Sequence, residues 1–268
     1  MMPILNAETI AEFQSDGVTV LRGVFAEWVD TLRRGVDFNI ANPGPDGRFY
    51  TGDHGAGRFM TDYCNWQRIP EYRDFIFNSP VARIARDLMA SRSVQLFHEH
   101  VLVKEADADV PTPWHHDLPY YSLSAPLSVS LWLPLDPVPR ERTLEFVAGS
   151  HRMGKTYQPQ RFNGNPINEG DGLESIPDIE ANREGFDILA WALEPGDAVA
   201  FDFRTLHGAP ANRSKSDQRR AFSVRLVGEG AQFRRKPGIV TSPPFPGVTL
   251  ADGAPLAGEE FPILIAAQ

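Results

Sequence analysis

The feature that most constrains this chain is a change of hydrophobic period. Up to about residue 90, apolar residues recur at helical spacing. From about residue 94 they alternate, and the alternation returns in segment after segment to about residue 227. Candidate strands are 94–104, 127–133, 143–148, 187–193, 197–203 and 219–227, divided by clusters of Pro, Gly, Asn and Asp. Short strands that each bury one face, with turn signals between them, fold as a sandwich or jelly roll. Ahead of them, Asn6 can cap a helix whose buried side carries Ile10 and Phe13, and Gly17 can end it. Val18-Thr19-Val20-Leu21 reads as a strand. Helical spacing returns at Trp28, Leu32 and Val36, and again from Tyr72 to Met89. Residues 43–66, rich in Gly and aromatics, and 154–186, polar and turn-rich, read as long loops of the kind that form lids. The expectation is one domain over 1–268, mainly β with flanking helices: a mostly helical part over 1–92, a jelly-roll core (double-stranded β-helix) over 93–230 and a C-terminal extension over 231–268.

Charge and cysteine content narrow the function. With 35 acidic against 26 basic residues the formal net charge is −9, which disfavours nucleic acid as a partner because basic patches supply most of that affinity. Cys64 is the single cysteine, so no intramolecular disulfide and no zinc–cysteine cluster can form. The N-terminal residues lack a basic n-region followed by an apolar h-region, and no window approaches the roughly 20 apolar residues of a membrane helix. The expectation is a cytoplasmic protein with a small-molecule substrate and no membrane partner. Its oligomeric state is not written in the pattern.

Chemistry concentrates at Pro113-Trp114-His115-His116-Asp117-Leu118. His115 and Asp117 are two apart, so on an extended backbone both side chains leave one face. A second histidine from a distant strand would complete a facial set of two imidazoles and one carboxylate. That set leaves three positions of an octahedral Fe(II) open, whereas zinc more often recruits a further His or Cys. His207 is the natural partner: the turn Glu194-Pro195-Gly196-Asp197 leads into an apolar strand, and His207 falls at its end before Gly208. Twelve residues on, Arg219 shares a strand face with Ala221 and Ser223, opposite Phe222, Val224 and Leu226. A guanidinium beside two small side chains has room for a ligand carboxylate and grips it as a bidentate fork.

Together these residues resemble the phytanoyl-CoA dioxygenase family of iron/2-oxoglutarate oxygenases. The likeness runs from Phe13-Gln14-Ser15-Asp16-Gly17-Val18-Thr19-Val20-Leu21-Arg22 through Trp114-His115-His116-Asp117 and Leu144-Glu145-Phe146-Val147-Ala148-Gly149-Ser150-His151-Arg152. It closes with His207-Gly208-Ala209-Pro210-Ala211-Asn212-Arg213-Ser214 and Arg219-Arg220-Ala221. The resemblance implies His115, Asp117 and His207 as iron ligands and Arg219 on the distal carboxylate of 2-oxoglutarate. It implies Fe(II), 2-oxoglutarate and O2 as the reacting set, with ascorbate helpful in vitro, and release of succinate and CO2. Two features depart from the family pattern. Glu141-Arg142-Thr143 stands where Asn-Gly is frequent, and the interval from His207 to Arg219 is a residue longer than in some relatives. Halogenating relatives replace the carboxylate ligand by a small residue; Asp117 fills that position, which implies hydroxylation or a related C–H oxidation.

Other residues carry weaker expectations. Trp132 and Lys104 are assigned to the co-substrate pocket, although Lys104 also reads as a lysine that snorkels to the surface. Tyr120 and Tyr121 are candidates for the substrate pocket, as is Phe49, which with Arg48, Tyr50 and Phe59 would form part of a lid. His116 is out of phase with the ligand face, His151 reads as structural beside the Gly149-Ser150 turn, and Phe203 as core. One alternative is a cupin-type site on His98, His100, Glu105 and His207 without 2-oxoglutarate. Glu105 falls on the opposite strand face from the two histidines, which counts against it. Another is a non-catalytic, metabolite-binding relative. Arg234-Arg235-Lys236 is too short a run to mark a CoA diphosphate site, which favours a small polar or amphipathic metabolite over an acyl-CoA.

Overall fold

A computed structural model of the chain describes residues 4–267. Asn6 caps α1 (Ala7–Asp16), its side-chain oxygen accepting from the Thr9 amide at 2.8 Å, and Gly17 closes the helix with φ of 76°. A side chain at Gly17 would be strained in that conformation, and its Cβ would stand 2.3 Å from the His151 ring. There follow β1 (Val18–Leu21), α2 (Val29–Ala41), β2 (Arg48–Thr51), β3 (Arg58–Tyr63), α3 (Pro70–Asn78), α4 (Val81–Met89) and β4 (Val94–Lys104). The helical period from Tyr72 to Met89 is thus two helices rather than one. Pro80 has no amide hydrogen to continue a ladder, and the residue before it, Ser79, is extended at φ −75°, ψ 170°.

The remaining strands are β5 (Thr112–His115), β6 (Leu123–Ser124), β7 (Ser128–Pro134), β8 (Glu145–Val147), β9 (Ile188–Leu189), β10 (Ala198–Phe201), β11 (His207–Ala209), β12 (Arg219–Val227), β13 (Gln232–Phe233) and β14 (Ile263–Ile265). A large antiparallel sheet runs β1-β10-β7-β12-β4-β3-β2, with β14 also paired to β4. A small sheet runs β5-β11-β8-β9, and β13 pairs with β6. Large and small sheets face one another across a shared apolar cluster that includes Trp132, Phe201 and Ala221 from one and Phe146 and Ala209 from the other. This is the jelly roll.

Several strands differ from the alternation. The strand expected over 187–193 is only Ile188–Leu189, and the one over 197–203 stops at Phe201, where the Asp202 carboxylate accepts from the Arg204 amide and side chain and turns the chain. His207 consequently opens a new strand instead of ending the previous one. The stretch 43–66 is largely a hairpin, β2–β3, which carries the large sheet past β4; only Tyr50 of β2 is even half-buried, so the strand shows no alternation to read. Helices cover the outer face of the large sheet. Phe222, Val224 and Leu226 of β12 and Val101 and Val103 of β4 meet Leu32, Val36, Tyr72, Phe75, Ile84 and Leu88 there. The Tyr72 and Phe75 rings lie 4.8 and 5.5 Å from Phe222, and burying each such side chain contributes roughly 1.5–3 kcal/mol. No helix among the described residues is long and apolar enough to cross a membrane.

Candidate active site

The inner faces of the two sheets enclose a cavity of about 520 Å³. His115 ends β5 and His207 opens β11, and the two are direct register partners, their ring centroids 4.1 Å apart. Asp117 lies just past β5. Its backbone is helical (φ −69°, ψ −40°), at the entry to the single turn Leu118–Tyr120, so the simple two-residue alternation fails between His115 and Asp117. The carboxylate nevertheless comes round to the pair: Asp117 Oδ1 is 3.7 Å from His115 Nε2 and 3.9 Å from His207 Nε2. One ligand atom from each residue lies within 4.8 Å of the other two, and among the described residues this is the group of three placed to hold a metal ion.

The surroundings prepare these atoms as donors. His115 Nδ1 lies 2.8 Å from the Pro113 carbonyl and His207 Nδ1 2.9 Å from that of Thr205. A carbonyl only accepts, so each Nδ1 carries the proton and each Nε2 presents its lone pair to the cavity. Burial pushes the His207 ring down to about 3 and lowers His115 as well, keeping both neutral. Burial opposes ionisation of Asp117, but Arg225 above all, with His207 and His115, outweighs it and holds the carboxyl well below its usual range. Ser130 donates to Asp117 Oδ2 at 2.9 Å, and Arg225 Nε stands 3.6 Å from the same oxygen. Two neutral imidazoles and one oriented carboxylate fit Fe(II) with positions left open.

Along β12, the inward residues are Arg219, Ala221, Ser223 and Arg225; along β4 they are His98, His100, Leu102 and Lys104. Arg219 and Lys104 are register partners, 6 % and 1 % exposed. Neither has an acidic partner among the described residues. Arg219 donates to the Arg142 carbonyl, and Lys104 donates to the Pro210 carbonyl at 3.1 Å with its ammonium 4.8 Å from the Phe59 ring centroid. Burial pushes the Lys104 ammonium well down and brings Arg219 to about 10. The lysine therefore does not snorkel. Arg220, of opposite parity, pairs outside with Asp136 at 2.7 Å and Asp37 at 2.8 Å.

Trp132 lines the cavity from β7, opposite Ser223, while also packing in the apolar cluster between the sheets. Tyr120 and Tyr121 both line it. Tyr120 is edge-on to His115 and its hydroxyl donates to the Gln160 carbonyl at 2.8 Å, whereas the Tyr121 hydroxyl accepts from Arg225 Nε at 2.9 Å. Phe49 does not reach the cavity. It is 43 % exposed under the Arg58 guanidinium, because the alternation of β2 turns Arg48 and Tyr50 inward instead. The cupin set does not assemble: Glu105 leaves the sheet's inner face and pairs with Arg58 at 2.8 Å. His116 accepts from the Tyr157 amide, and Phe203 is core. Burial raises the Cys64 thiol far above its usual range, which leaves it inert. Arg225 belongs to no motif singled out in the sequence, yet the alternation that selects Arg219 and Ser223 reaches it two residues later.

Comparison with known proteins follows the same lines. A search of curated proteins finds no match. Among solved structures, the carbocyclase SnoK from nogalamycin biosynthesis superposes with a TM-score of 0.76 at 23% identity, over 97% of this chain and 96% of that one. The epimerase SnoN, solved with Fe3+, α-ketoglutarate and nogalamycin RO, superposes with a TM-score of 0.73 at 25% identity, over 96% and 97%. EctD from S. alaskensis, solved with 2-oxoglutarate and 5-hydroxyectoine, gives 0.70 at 20% identity, over 96% and 91%. SnoK and EctD share the fold at these identities. The family model for phytanoyl-CoA dioxygenase (PhyH) matches residues 13–221, a span that opens in α1 and closes just past Arg219, and the chain belongs to that family.

Proposed function

We propose that the protein is an Fe(II)- and 2-oxoglutarate-dependent dioxygenase that hydroxylates a small organic substrate, with His115, Asp117 and His207 as iron ligands, within one catalytic domain over 1–268. One observation carries this reading. A single cavity is lined on the small-sheet side by a two-histidine, one-carboxylate donor set and on the large-sheet side by Arg219, which with its buried register partner Lys104 has no acidic side chain among the described residues to neutralise it. Buried unpaired charge is costly, and a dicarboxylic acid bound at one end to the metal would offset it at the other. The chemistry that iron supplies when bound is activation of O2, coupled to oxidative decarboxylation of 2-oxoglutarate to succinate and CO2.

The chain's own contribution is placement. Arg219 offers a planar fork to the distal carboxylate while Lys104 adds a point charge beside it. Trp132 supplies an apolar wall near them. Ser130 and Arg225 fix the outer oxygen of Asp117, leaving its inner oxygen for the metal. Tyr50 and Phe162 line the cavity with their rings 4.9 Å apart, backed by the buried Phe59 ring, and form an aromatic mouth that suits an amphipathic metabolite. Part of that mouth is the β2–β3 hairpin, which we read as the substrate lid. Hydroxylation is favoured by the carboxylate at Asp117, where halogenating relatives carry a small residue. Carbocyclisation and epimerisation are the activities named for SnoK and SnoN, and a product one oxygen atom heavier than the substrate by mass spectrometry distinguishes hydroxylation from both.

The test is a titration of the anaerobic Fe(II) protein with 2-oxoglutarate, followed by succinate release in air with ascorbate. Wild type is expected to bind 2-oxoglutarate and to release succinate slowly, and His115→Ala to do neither. Failure of 2-oxoglutarate to bind the iron-loaded wild type would overturn the reading.

A further inference from the structure

On the inner face of the large sheet four buried side-chain atoms have no hydrogen-bond partner, His98 Nε2, His100 Nε2, Ser223 Oγ and Arg225 Nη1, and two of them belong to the register pair nearest Asp117. His98 is 2 % exposed and Arg225 is 6 % exposed, and they are register partners across β4 and β12. His98 Nε2 and Arg225 Nη1 find no hydrogen-bond partner in the protein, and both residues line the cavity. Such atoms are rare, since each costs the desolvation it does not recover. A pair of them on neighbouring side chains in one wall points to a ligand.

The roles of the two atoms follow from their other contacts. His98 Nδ1 lies 3.1 Å from the Glu99 carbonyl and so carries the ring's proton. Burial, reinforced by Arg225 and His100, keeps the ring neutral, so Nε2 is a pure acceptor. The ring cannot turn freely to change this, being boxed by Phe97 at 5.1 Å and Tyr121 at 5.3 Å. Arg225 is held through Nε by the Tyr121 hydroxyl at 2.9 Å, which leaves Nη1 with protons to give. One acceptor and one donor therefore stand side by side.

We infer that His98 and Arg225 form the subsite that seats a hydroxyl group of the substrate, the O–H donating to His98 Nε2 and its oxygen accepting from Arg225 Nη1. A carboxylate would accept from Arg225 but set its lone pairs against that of His98. An ammonium would donate to His98 but face the guanidinium. An ether would leave Nε2 unsatisfied. Of these four groups, the alcohol or phenol alone answers both atoms, and it does so through a single oxygen. The subsite adjoins Asp117, 3.6 Å from Arg225 Nε, so the hydroxyl would bring the neighbouring carbon of the substrate to the metal side of the cavity. This deepens the proposed function and rests on it for the identity of the ligand as substrate.

The test uses four probes with one aromatic body, chosen to suit the mouth of Tyr50 and Phe162: 1-naphthol, 1-methoxynaphthalene, 1-naphthoate and 1-naphthylmethylammonium. Each is titrated by calorimetry into the metal-free protein and into the anaerobic Fe(II)·2-oxoglutarate protein. The naphthol is expected to bind about tenfold tighter than each of the others, the size of one well-made buried hydrogen bond over an unmade one. His98→Phe should abolish that preference while 2-oxoglutarate still binds, and His98→Gln, which keeps an acceptor, should restore part of it. Absence of a hydroxyl preference, tighter binding of the naphthoate, or a preference that survives His98→Phe would each overturn the inference. A His98→Phe protein that folds but loses 2-oxoglutarate would also overturn it, by assigning the subsite to the co-substrate. The metal-free arm separates this from the proposed function: a hydroxyl preference there with no 2-oxoglutarate binding would leave the subsite standing and remove the oxygenase reading.

Discussion

The two faces of β12 and β4 lie one residue apart and are built on opposite terms. Outward, Phe222, Val224, Leu226, Val101 and Val103 are buried against α2, α3 and α4, where any apolar group of the right volume satisfies its neighbours. Inward, Arg219, Ser223, Arg225, His98, His100 and Lys104 are mostly as deeply buried, yet several carry polar atoms or charges the protein does not answer. One face is stabilised by what it buries; the other costs stability and is complete only with a ligand. The difference teaches that burial alone does not mark a core. Whether the buried group is satisfied by the chain does.

Substitution on each face sharpens the contrast. Phe222→Ala removes a fully buried ring packed on Tyr72 and Phe75 and should lower the unfolding free energy by about 3–5 kcal/mol in urea denaturation. Binding of 2-oxoglutarate by the folded fraction should stay within twofold of wild type. Three residues earlier on the same strand, Arg219→Leu should do the reverse. Removing a buried guanidinium without a carboxylate partner should leave the unfolding free energy equal or raised. The dissociation constant of 2-oxoglutarate for the Fe(II) protein should rise about 100-fold, the loss of roughly 2–3 kcal/mol in charge-assisted hydrogen bonds. If Phe222→Ala weakened 2-oxoglutarate binding as much as Arg219→Leu, the two faces would not be separable and the comparison would break.

The same contrast explains what the sequence makes legible. The alternation of 219–227 is unbroken and that of 94–104 is interrupted at one bulge, between Leu96 and His98, so both strands are read with their bounds and with the faces of Arg219 and Arg220 told apart. The candidate metal donors are legible because three residue types at fixed places suffice, even though Asp117 reaches its partners through a helical turn and not by strand parity. Elsewhere the signal is absent for physical reasons. Strand β2 is held by backbone pairing to β3 while its side chains are largely exposed, so no hydrophobic period marks it, and Phe49 is mistaken for a pocket residue when Tyr50 is the one turned in. Lys104 resembles any surface lysine in sequence; only the strand packed on each side, with Phe59 on one neighbour and Arg219 on the other, shows that its ammonium is enclosed. Arg225 is silent because its role depends on Tyr121 and Asp117, which reach it from another segment.

Glu99 is the exception on the outward face and gives the smallest predicted effect. It sits between His98 and His100 but points the other way, fully buried, register partner to Val224. One carboxyl oxygen accepts from the Asn65 amide and the other has no partner. Burial, only partly offset by the backbone donors, pushes the group up to about 7. A carboxyl whose folded value lies above its unfolded one binds its proton more tightly in the native state. The stability it contributes is therefore full below about pH 4.5 and is lost as pH rises through 7. His98, His100, His116 and His207 act in the opposite sense, since their folded values are lowered and protonation unfolds them as pH falls. The wild-type profile alone would mix the two. The difference between wild type and Glu99→Gln cancels the histidines, because the neutral amide leaves the inner face unchanged. Wild type should lose about 1–3 kcal/mol relative to Glu99→Gln between pH 5 and pH 8, measured by urea unfolding of the metal-free protein. A difference independent of pH would mean that Glu99 is ionised throughout, and that a charge is tolerated on the helix-packed face without the ligand that the inward face requires.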